Sequence, residues 1–327
     1  MKTLMKMMDI TTSMDIVKIK RVVPNIMVVT WVINNICDRS CAYCPSSLHN
    51  GSNHNYDWNL AREFWKILIA KYNGLHVSIA GGEPSLSPHL VEAIDMIYDS
   101  GNTVGITTNL TRTERYFKKI SPKLSYLSAS YHPSSPDEKF LDKIQTVSEL
   151  TSTTARVMMD ANHWDHSVDI FEKLKSVSKL RVDPVRILDW EGGLNPHLYS
   201  PEQEKWLKEV KEHVPKDGHK RIRTSKHQVE YYDSNNQQVK TVANELVLRG
   251  ETNYSGWRCS LGLESLFIRE TGSIRKANCA QGPIIGHLNT PQDIEWPTAP
   301  EICNQSICHC VTDIMMTKEK ITQAGVV

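Results

Sequence analysis

From Ile26 the chain repeats one pattern: a short β-branched run, a loop, then a helix with a recognisable start. Ile26–Ile33 is almost continuously apolar, as a strand covered on both faces should be. Asp57 caps a helix through about Tyr72, with Ala61, Phe64, Trp65, Leu68 and Ile69 on one side. Further strands read at about His76–Ala80, Thr103–Thr108, Leu124–Ser130, Thr154–Asp160 and Arg181–Leu188. Helices between them start at Ser87-Pro88, Arg112, Ser135-Pro136 and Asp165. In the serine–proline pairs a cap is followed by proline at the first helical position. Ser200-Pro201-Glu202-Gln203 is a capping box that opens a helix to about Glu212. Six such units between 26 and 213 run about 30 residues each, the length of a βαβ step. Parallel strands with right-handed crossovers close into a barrel or an open sheet, and six units fall short of the eight-unit barrel. The expected fold is α/β: a curved, partial (β/α)6 barrel, with ligands gathered at the carboxyl ends of its strands.

After 214 the rhythm stops. Gln228–Tyr232 and Gln237–Val242 flank a turn at Asp233-Ser234-Asn235-Asn236, and Glu264–Arg269 and Ser273–Ala277 flank Glu270-Thr271-Gly272. Both read as β-hairpins. A proline-rich connection leads to the last cysteines, and 312–327 reads as a helical or frayed tail. Residues 1–24 read as an irregular extension with a short edge strand, and Lys216–Lys226 as a solvated basic strand. The expected divisions are an extension over 1–24, the barrel over 25–213, a bridging hairpin region over 214–255, and a small hairpin-containing domain with its tail over 256–327.

The net charge of +1 offers no electrostatic grip on a nucleic-acid backbone, so nucleic acid is not indicated as a partner. No run approaches the roughly 18 apolar residues of a membrane span, and Met1–Met8 lacks the apolar core of a secretory signal. A cytoplasmic location and reducing conditions are expected. The eight cysteines then point to metal rather than to disulfides. They fall into two groups, 37/41/44 and 259/279/303/308/310. Thirteen histidines show no ligand spacing, and His163 and His166 read as capping or surface residues. Trp58, Trp65, Trp164 and Trp206 read as helix packing.

Cys37, Cys41 and Cys44 follow the first barrel strand at i, i+4 and i+7. A 4Fe–4S cluster uses four ligands, so three cysteines leave one iron open. The plain alternatives are half a zinc site and buried structural cysteines. The spacing, with Tyr43 before the third cysteine, resembles the signature loop of the radical S-adenosylmethionine (SAM) superfamily. Gly81-Gly82-Glu83-Pro84, at the end of the second strand, resembles that family's motif for the SAM amino group, with Glu83 offering a carboxylate to the ammonium. The resemblance extends to Thr108 and Asn109 near SAM, Ser130 on its ribose and Arg156 on its carboxylate. The implied chemistry is reductive cleavage of SAM to a 5′-deoxyadenosyl radical, which takes hydrogen from an unactivated carbon.

The second cysteine group resembles a twitch domain, the shorter relative of the SPASM domain, with an auxiliary 4Fe–4S cluster. Five cysteines exceed the four ligands a cluster needs. Cys259, Cys279, Cys308 and Cys310 are the expected ligands, with Cys303 a spare ligand or a hydrogen donor. Four thiolates also suit a zinc ribbon. The resemblance implies oxidation, epimerisation or rearrangement of a small-molecule or peptidyl substrate, with a flavodoxin- or ferredoxin-type reductant. Residues 1–24 are too short for a separate peptide-recognition domain. The alternatives are modification of a nucleoside or base side chain, and a non-catalytic zinc or iron–sulfur interaction protein.

Overall fold

The computed structural model describes residues 15–21, 25–51, 56–187, 199–219, 228–279, 281–308 and 310–321. In chain order its elements are β1 (Ile16–Arg21), β2 (Met27–Val32), α1 (Trp58–Lys71), β3 (Leu75–Ala80), α2 (Leu90–Asp99), β4 (Thr103–Thr108), α3 (Glu114–Ile120), β5 (Tyr126–Tyr131), α4 (Phe140–Leu150), β6 (Thr153–Met159), α5 (Trp164–Leu174), β7 (Arg181–Arg186) and α6 (Pro201–Glu209). There follow β8 (Gln228–Asp233), β9 (Gln238–Val242), α7 (Ala243–Leu248), β10 (Trp257–Cys259), β11 (Ser265–Ile268), β12 (Ser273–Arg275), β13 (Gly286–His287), β14 (Glu301–Ile302), α8 (Val311–Ile314) and β15 (Lys318–Lys320).

Among the described residues the strands form two sheets. The nine-stranded sheet runs β13-β12-β11-β2-β3-β4-β5-β6-β7, and β2 through β7 are parallel neighbours. The six expected strand–helix units are therefore present, in order. Alternation along the strands separates two faces. Val29, Trp31, Val77, Ile79, Val104, Ile106, Leu127, Ala129, Ala155 and Val157 are buried under the helices, in one core with Phe64, Trp65, Leu68, Ile94, Phe117, Ile144 and Phe171. The opposite face is largely polar: Thr30, Ser78, Gly105 and Tyr126 lie in one register, Thr107, Ser128 and Thr154 in the next, and Ser130, Arg156 and Asp183 in a third. The hydrophobic effect seats the helices on one face and leaves the other for ligands.

Side-chain caps account for the starts of α1, α3 and α6. The Asp57 carboxylate accepts hydrogen bonds from the N–H groups of Asn59 and Leu60, and the capping box at Ser200 and Gln203 is complete. The serine–proline pairs behave differently from expectation. Ser87-Pro88 and Ser135-Pro136 sit in turns that precede the helices, which begin at Leu90 and Phe140. Pro184 lies within β7, where the missing N–H is tolerated because β7 ends the sheet.

The second, six-stranded sheet runs β14-β10-β15-β1-β8-β9, antiparallel throughout. The hairpin β8–β9 is as expected: Asp233 Oδ1 accepts from the N–H groups of Asn235 and Gln237, and Asn236 takes a φ of 60°. Three expectations are corrected. β1 is no edge strand, because it lies between β15 and β8. The hairpin β11–β12 does not stand apart from the barrel, because β11 pairs in parallel with β2 and extends its sheet. The tail is not simply helical, since one turn of α8 gives way to β15. Of the basic stretch 216–226, residues 216–219 form a turn and loop and the remainder lies outside the described residues, as does Leu188. No helix among the described residues is long and apolar enough to cross a membrane.

Candidate cofactor site and a second cysteine group

The cysteine loop leaves the carboxyl end of β2, and its neighbours are the loops that leave β3, β4 and β5. Gly82 N donates to Asn34 O at 3.0 Å and Glu83 N to Ile36 O at 2.7 Å, so the Gly-Gly-Glu segment pairs with the main chain leading into Cys37. The glycines are required by that contact. A Cβ on Gly81 would sit 2.6 Å from Asn34 O, and one on Gly82 would sit 2.5 Å from both Ile36 O and Leu48 O. The close approach that glycine permits is to the cysteine loop's own backbone.

Glu83 is 1% exposed and locks three loops. Oε1 accepts from Ser85 N at 2.9 Å and Thr108 Oγ1 at 2.7 Å, and Oε2 accepts from Asn109 N at 2.6 Å. Burial pushes its carboxyl above the ordinary range against the pull of these donors. Asn34 Nδ2 donates to Glu83 O at 3.0 Å. The carboxylate's visible partners are thus groups of the chain itself.

Asn109 reaches back from β4. Its Nδ2 donates to Asp38 Oδ1 at 2.8 Å, and Thr111 Oγ1 donates to Asp38 Oδ2 at 2.5 Å. Burial raises the Asp38 carboxyl, but these two hydrogen bonds, its own main-chain N–H and the Arg39 charge together hold it below its ordinary value. Asp38 lies between Cys37 and Arg39, so the network fixes the first half of the loop. The second half is held from β5. Tyr43 Oη lies 2.8 Å from His132 Nδ1, and that nitrogen is 3.5 Å from Cys41 Sγ. Burial, with the Arg39 charge, pushes the His132 imidazole down to about 4, and burial pushes the Tyr43 phenol up.

Sequence reasoning missed Asp38 and His132. Their signals were available: Asp38 lies inside the cysteine spacing, and His132 follows the end of a strand. Thr108 and Ser130, both expected near SAM, fall on opposite faces of the sheet: Thr108 pairs with Ala129, whereas Ser130 pairs with Arg156. Arg156 Nε lies 3.8 Å from Asp183 Oδ2, and both side chains are partly exposed on the polar face.

Burial pushes the Cys37 thiol up to about 11 and raises that of Cys44. Such thiols stay protonated unless a cation stabilises the thiolate. Among the described residues no three His, Cys, Asp or Glu side chains converge on the place of a single metal ion. A cube of four irons holds its thiolates farther apart than a single ion does, and three cysteines on one braced loop suit that larger body. Among the described residues, buried polar atoms without a partner lie on the cysteine loop (Arg39 Nε) and on the polar sheet face (Ser128 Oγ). The residues fit a cluster with a polar ligand beside it.

Four of the other five cysteines gather in a second core. Cys259, Cys303 and Cys308 are buried with Tyr231, Tyr254 and Trp257, and Cys279 packs against them. Cys310 precedes α8 and is half-buried. Cys303 is not set apart: its N–H donates to Trp257 O at 2.7 Å, and its carbonyl accepts from Gly256 N at 2.8 Å. Burial pushes the thiols of Cys259 and Cys279 up to about 11 and about 12, and raises those of Cys308 and Cys310. Asp313, 2% exposed, accepts from Cys279 N at 2.7 Å and Asn278 N at 3.3 Å and so positions the 278–279 turn.

Residues 31–185 match the model described as the Radical SAM superfamily. Among solved structures, Streptococcus suis SuiB bound to S-adenosylmethionine is similar, with a TM-score of 0.51 and 13% identity over 81% of this chain and 63% of that one. The chain thus spans less than two thirds of SuiB, and the likeness is one of fold. SuiB bound to its precursor peptide SuiA gives a TM-score of 0.47 at 12% identity, over 82% of this chain and 64% of that one. Native anSMEcpe with bound AdoMet and the Kp18Cys peptide gives 0.46 at 16%, over 81% and 78%. No curated protein matches. The family match over 31–185 takes in the three-cysteine loop and most of the parallel sheet, so this stretch of the chain resembles a radical SAM domain.

Proposed function

We propose that this protein is a radical SAM enzyme acting on a small-molecule or peptidyl substrate by oxidation, epimerisation or rearrangement. The observation that carries the reading is the convergence of the Gly81–Glu83 and Thr108–Asn109 segments on the loop bearing Cys37, Cys41 and Cys44. When bound, the 4Fe–4S cluster and SAM would supply a single electron and hydrogen abstraction from an unactivated carbon. The chain's part is to hold, orient and exclude. Cys37, Cys41 and Cys44 are the proposed ligands of the SAM-binding cluster. Tyr43, Gly81, Gly82, Glu83, Asn109, Ser130 and Arg156 are the proposed SAM surroundings, with Thr108 acting through Glu83. Ser130 and Arg156, adjacent across β5 and β6, present a hydroxyl and a guanidinium on the polar face, which suits a ribose and a carboxylate.

Cys259, Cys279, Cys308 and Cys310 are the proposed ligands of an auxiliary 4Fe–4S cluster. The burial of Cys303 among them favours its role as the alternate ligand over that of hydrogen donor. A flavodoxin- or ferredoxin-type protein is the proposed reductant, and the cytoplasm the proposed location.

Anaerobic reconstitution should give about eight irons per chain for two clusters. Dithionite with SAM should then yield 5′-deoxyadenosine, and Cys37→Ala should abolish it. Zinc in place of iron, or SAM left intact by a fully iron-loaded chain, would refute the reading.

A further inference from the structure

Lys318 is 2% exposed, a rare state for lysine unless a carboxylate pairs with it. Among the described residues its ammonium instead donates to main-chain oxygens: those of Asp313, of Ile314 at 3.2 Å and of Met316 at 3.2 Å. The ring of Tyr254 lies 5.1 Å away. Carbonyl dipoles and an aromatic face lessen the cost of burying the charge without cancelling it. The position of Lys318 in the sheet shows what the charge faces. Across β15 and β10 it is the direct antiparallel partner of Cys259. Opposed residues place their side chains on the same face, with Cβ atoms about 4.5–5.5 Å apart. Asp313, held by the N–H groups of Cys279 and Asn278, is the opposing charge at this group.

We infer that Lys318 is a built-in positive charge that raises the reduction potential of the auxiliary cluster. The inference rests on the proposed reading that these cysteines hold a 4Fe–4S cluster. Four thiolates leave such a cluster net negative, and one-electron reduction adds a further negative charge without making or breaking a bond. In a low-dielectric interior a fixed cation favours the form that carries the extra electron. Reduction potentials of iron–sulfur clusters respond to net charge and burial in this way.

The test uses the full chain, reconstituted anaerobically as wild type and as Lys318→Met, Lys318→Gln and Lys318→Arg. The auxiliary signal is isolated in a Cys37→Ala/Cys41→Ala/Cys44→Ala background. The readouts are iron content and a redox titration followed by electron paramagnetic resonance. If that background holds no iron with Lys318 intact, the auxiliary-cluster reading itself fails. If it holds about four irons, both neutral variants should lower the midpoint by at least 59 mV, the equivalent of a tenfold change in a one-electron equilibrium. Lys318→Arg should restore most of the shift. Loss of iron from both neutral variants but not from Lys318→Arg would also support the charge. Unchanged midpoints in the neutral variants, or loss of iron from Lys318→Arg as well, would overturn it. A residue that merely caps α8 would leave the midpoint where it was.

Discussion

The main-chain N–H of Asn109 donates a 2.6 Å hydrogen bond to Oε2 of Glu83, joining the ends of β3 and β4. The other oxygen of the same carboxylate holds Thr108 and Ser85. Removing it leaves buried donors unpaired. Glu83→Ala should therefore destabilise the protein by about 3 kcal/mol. Glu83→Gln, which keeps one acceptor, should cost less. Urea unfolding measures the first effect, and iron content of the reconstituted protein measures the coupled slackening of the Cys37 loop. Iron retained at wild-type level in Glu83→Ala would show that the carboxylate does not brace that loop.

Two glycines meet different obstacles. At Gly82 a methyl group would be 2.5 Å from two main-chain oxygens, which cannot swing aside. At Gly105 it would meet the Tyr126 ring, at 2.0 Å, whose hydroxyl is bonded to Ser78 Oγ at 2.6 Å. Both alanine variants should lose stability by about 1–3 kcal/mol or more from overpacking. Gly82→Ala should also lose iron at the three-cysteine loop, whereas Gly105→Ala should keep it. Equal iron loss in the two variants would contradict the separation.

His76 supplies a pH test away from the cysteines. It is buried at the start of β3, its Nδ1 2.9 Å from Thr103 Oγ1, and burial with the Arg21 charge pushes it down to about 4. Its folded value lies below the unfolded value near 6.5, so the unfolded chain takes up the proton first. Its contribution is therefore full above about pH 6.5 and falls away as the pH drops toward 4. At pH 5.5 the loss should be about 1.4 kcal/mol. Urea unfolding at pH 7.5 and 5.5 should show a smaller pH-dependent loss in His76→Gln than in wild type, by about that amount. Identical slopes would count against it.

Lys143 on α4 reaches the loop after β4. Its ammonium pairs with Asp137 Oδ2 at 2.5 Å and donates to the carbonyl of Leu110, a residue held at a φ of 58°. Lys143→Met strands a partly buried carboxylate, and should cost about 3 kcal/mol. Lys143→Met with Asp137→Asn should recover part of that loss. A double variant as unstable as the sum of the two single ones would show no coupling, and the pair would then be incidental.

The βα rhythm was legible because each barrel strand hides one apolar face under a helix, and caps such as Asp57 and Ser200 carry their mechanism in one or two residues. The cysteine loop and the Gly-Gly-Glu-Pro segment were legible as motifs, but the use of their atoms was not. Gly81 and Gly82 answer to the backbone at 34–48, and the Glu83 carboxylate to its own neighbours. Those are contacts at long sequence separation, invisible to spacing. The same holds for β1 and β11. Each is short and reads locally as a stray strand or half a hairpin, and only pairing with β15 and β2 places it.

That β11 lies against β2 has a temporal consequence for synthesis. At about 5–20 residues per second, the ribosome takes on the order of 10–50 s to travel from one to the other. Through that interval one flank of the barrel sheet has no partner strand from its own chain. Slower elongation between codons 33 and 264 lengthens that interval and should raise the nascent polypeptide's tendency to aggregate.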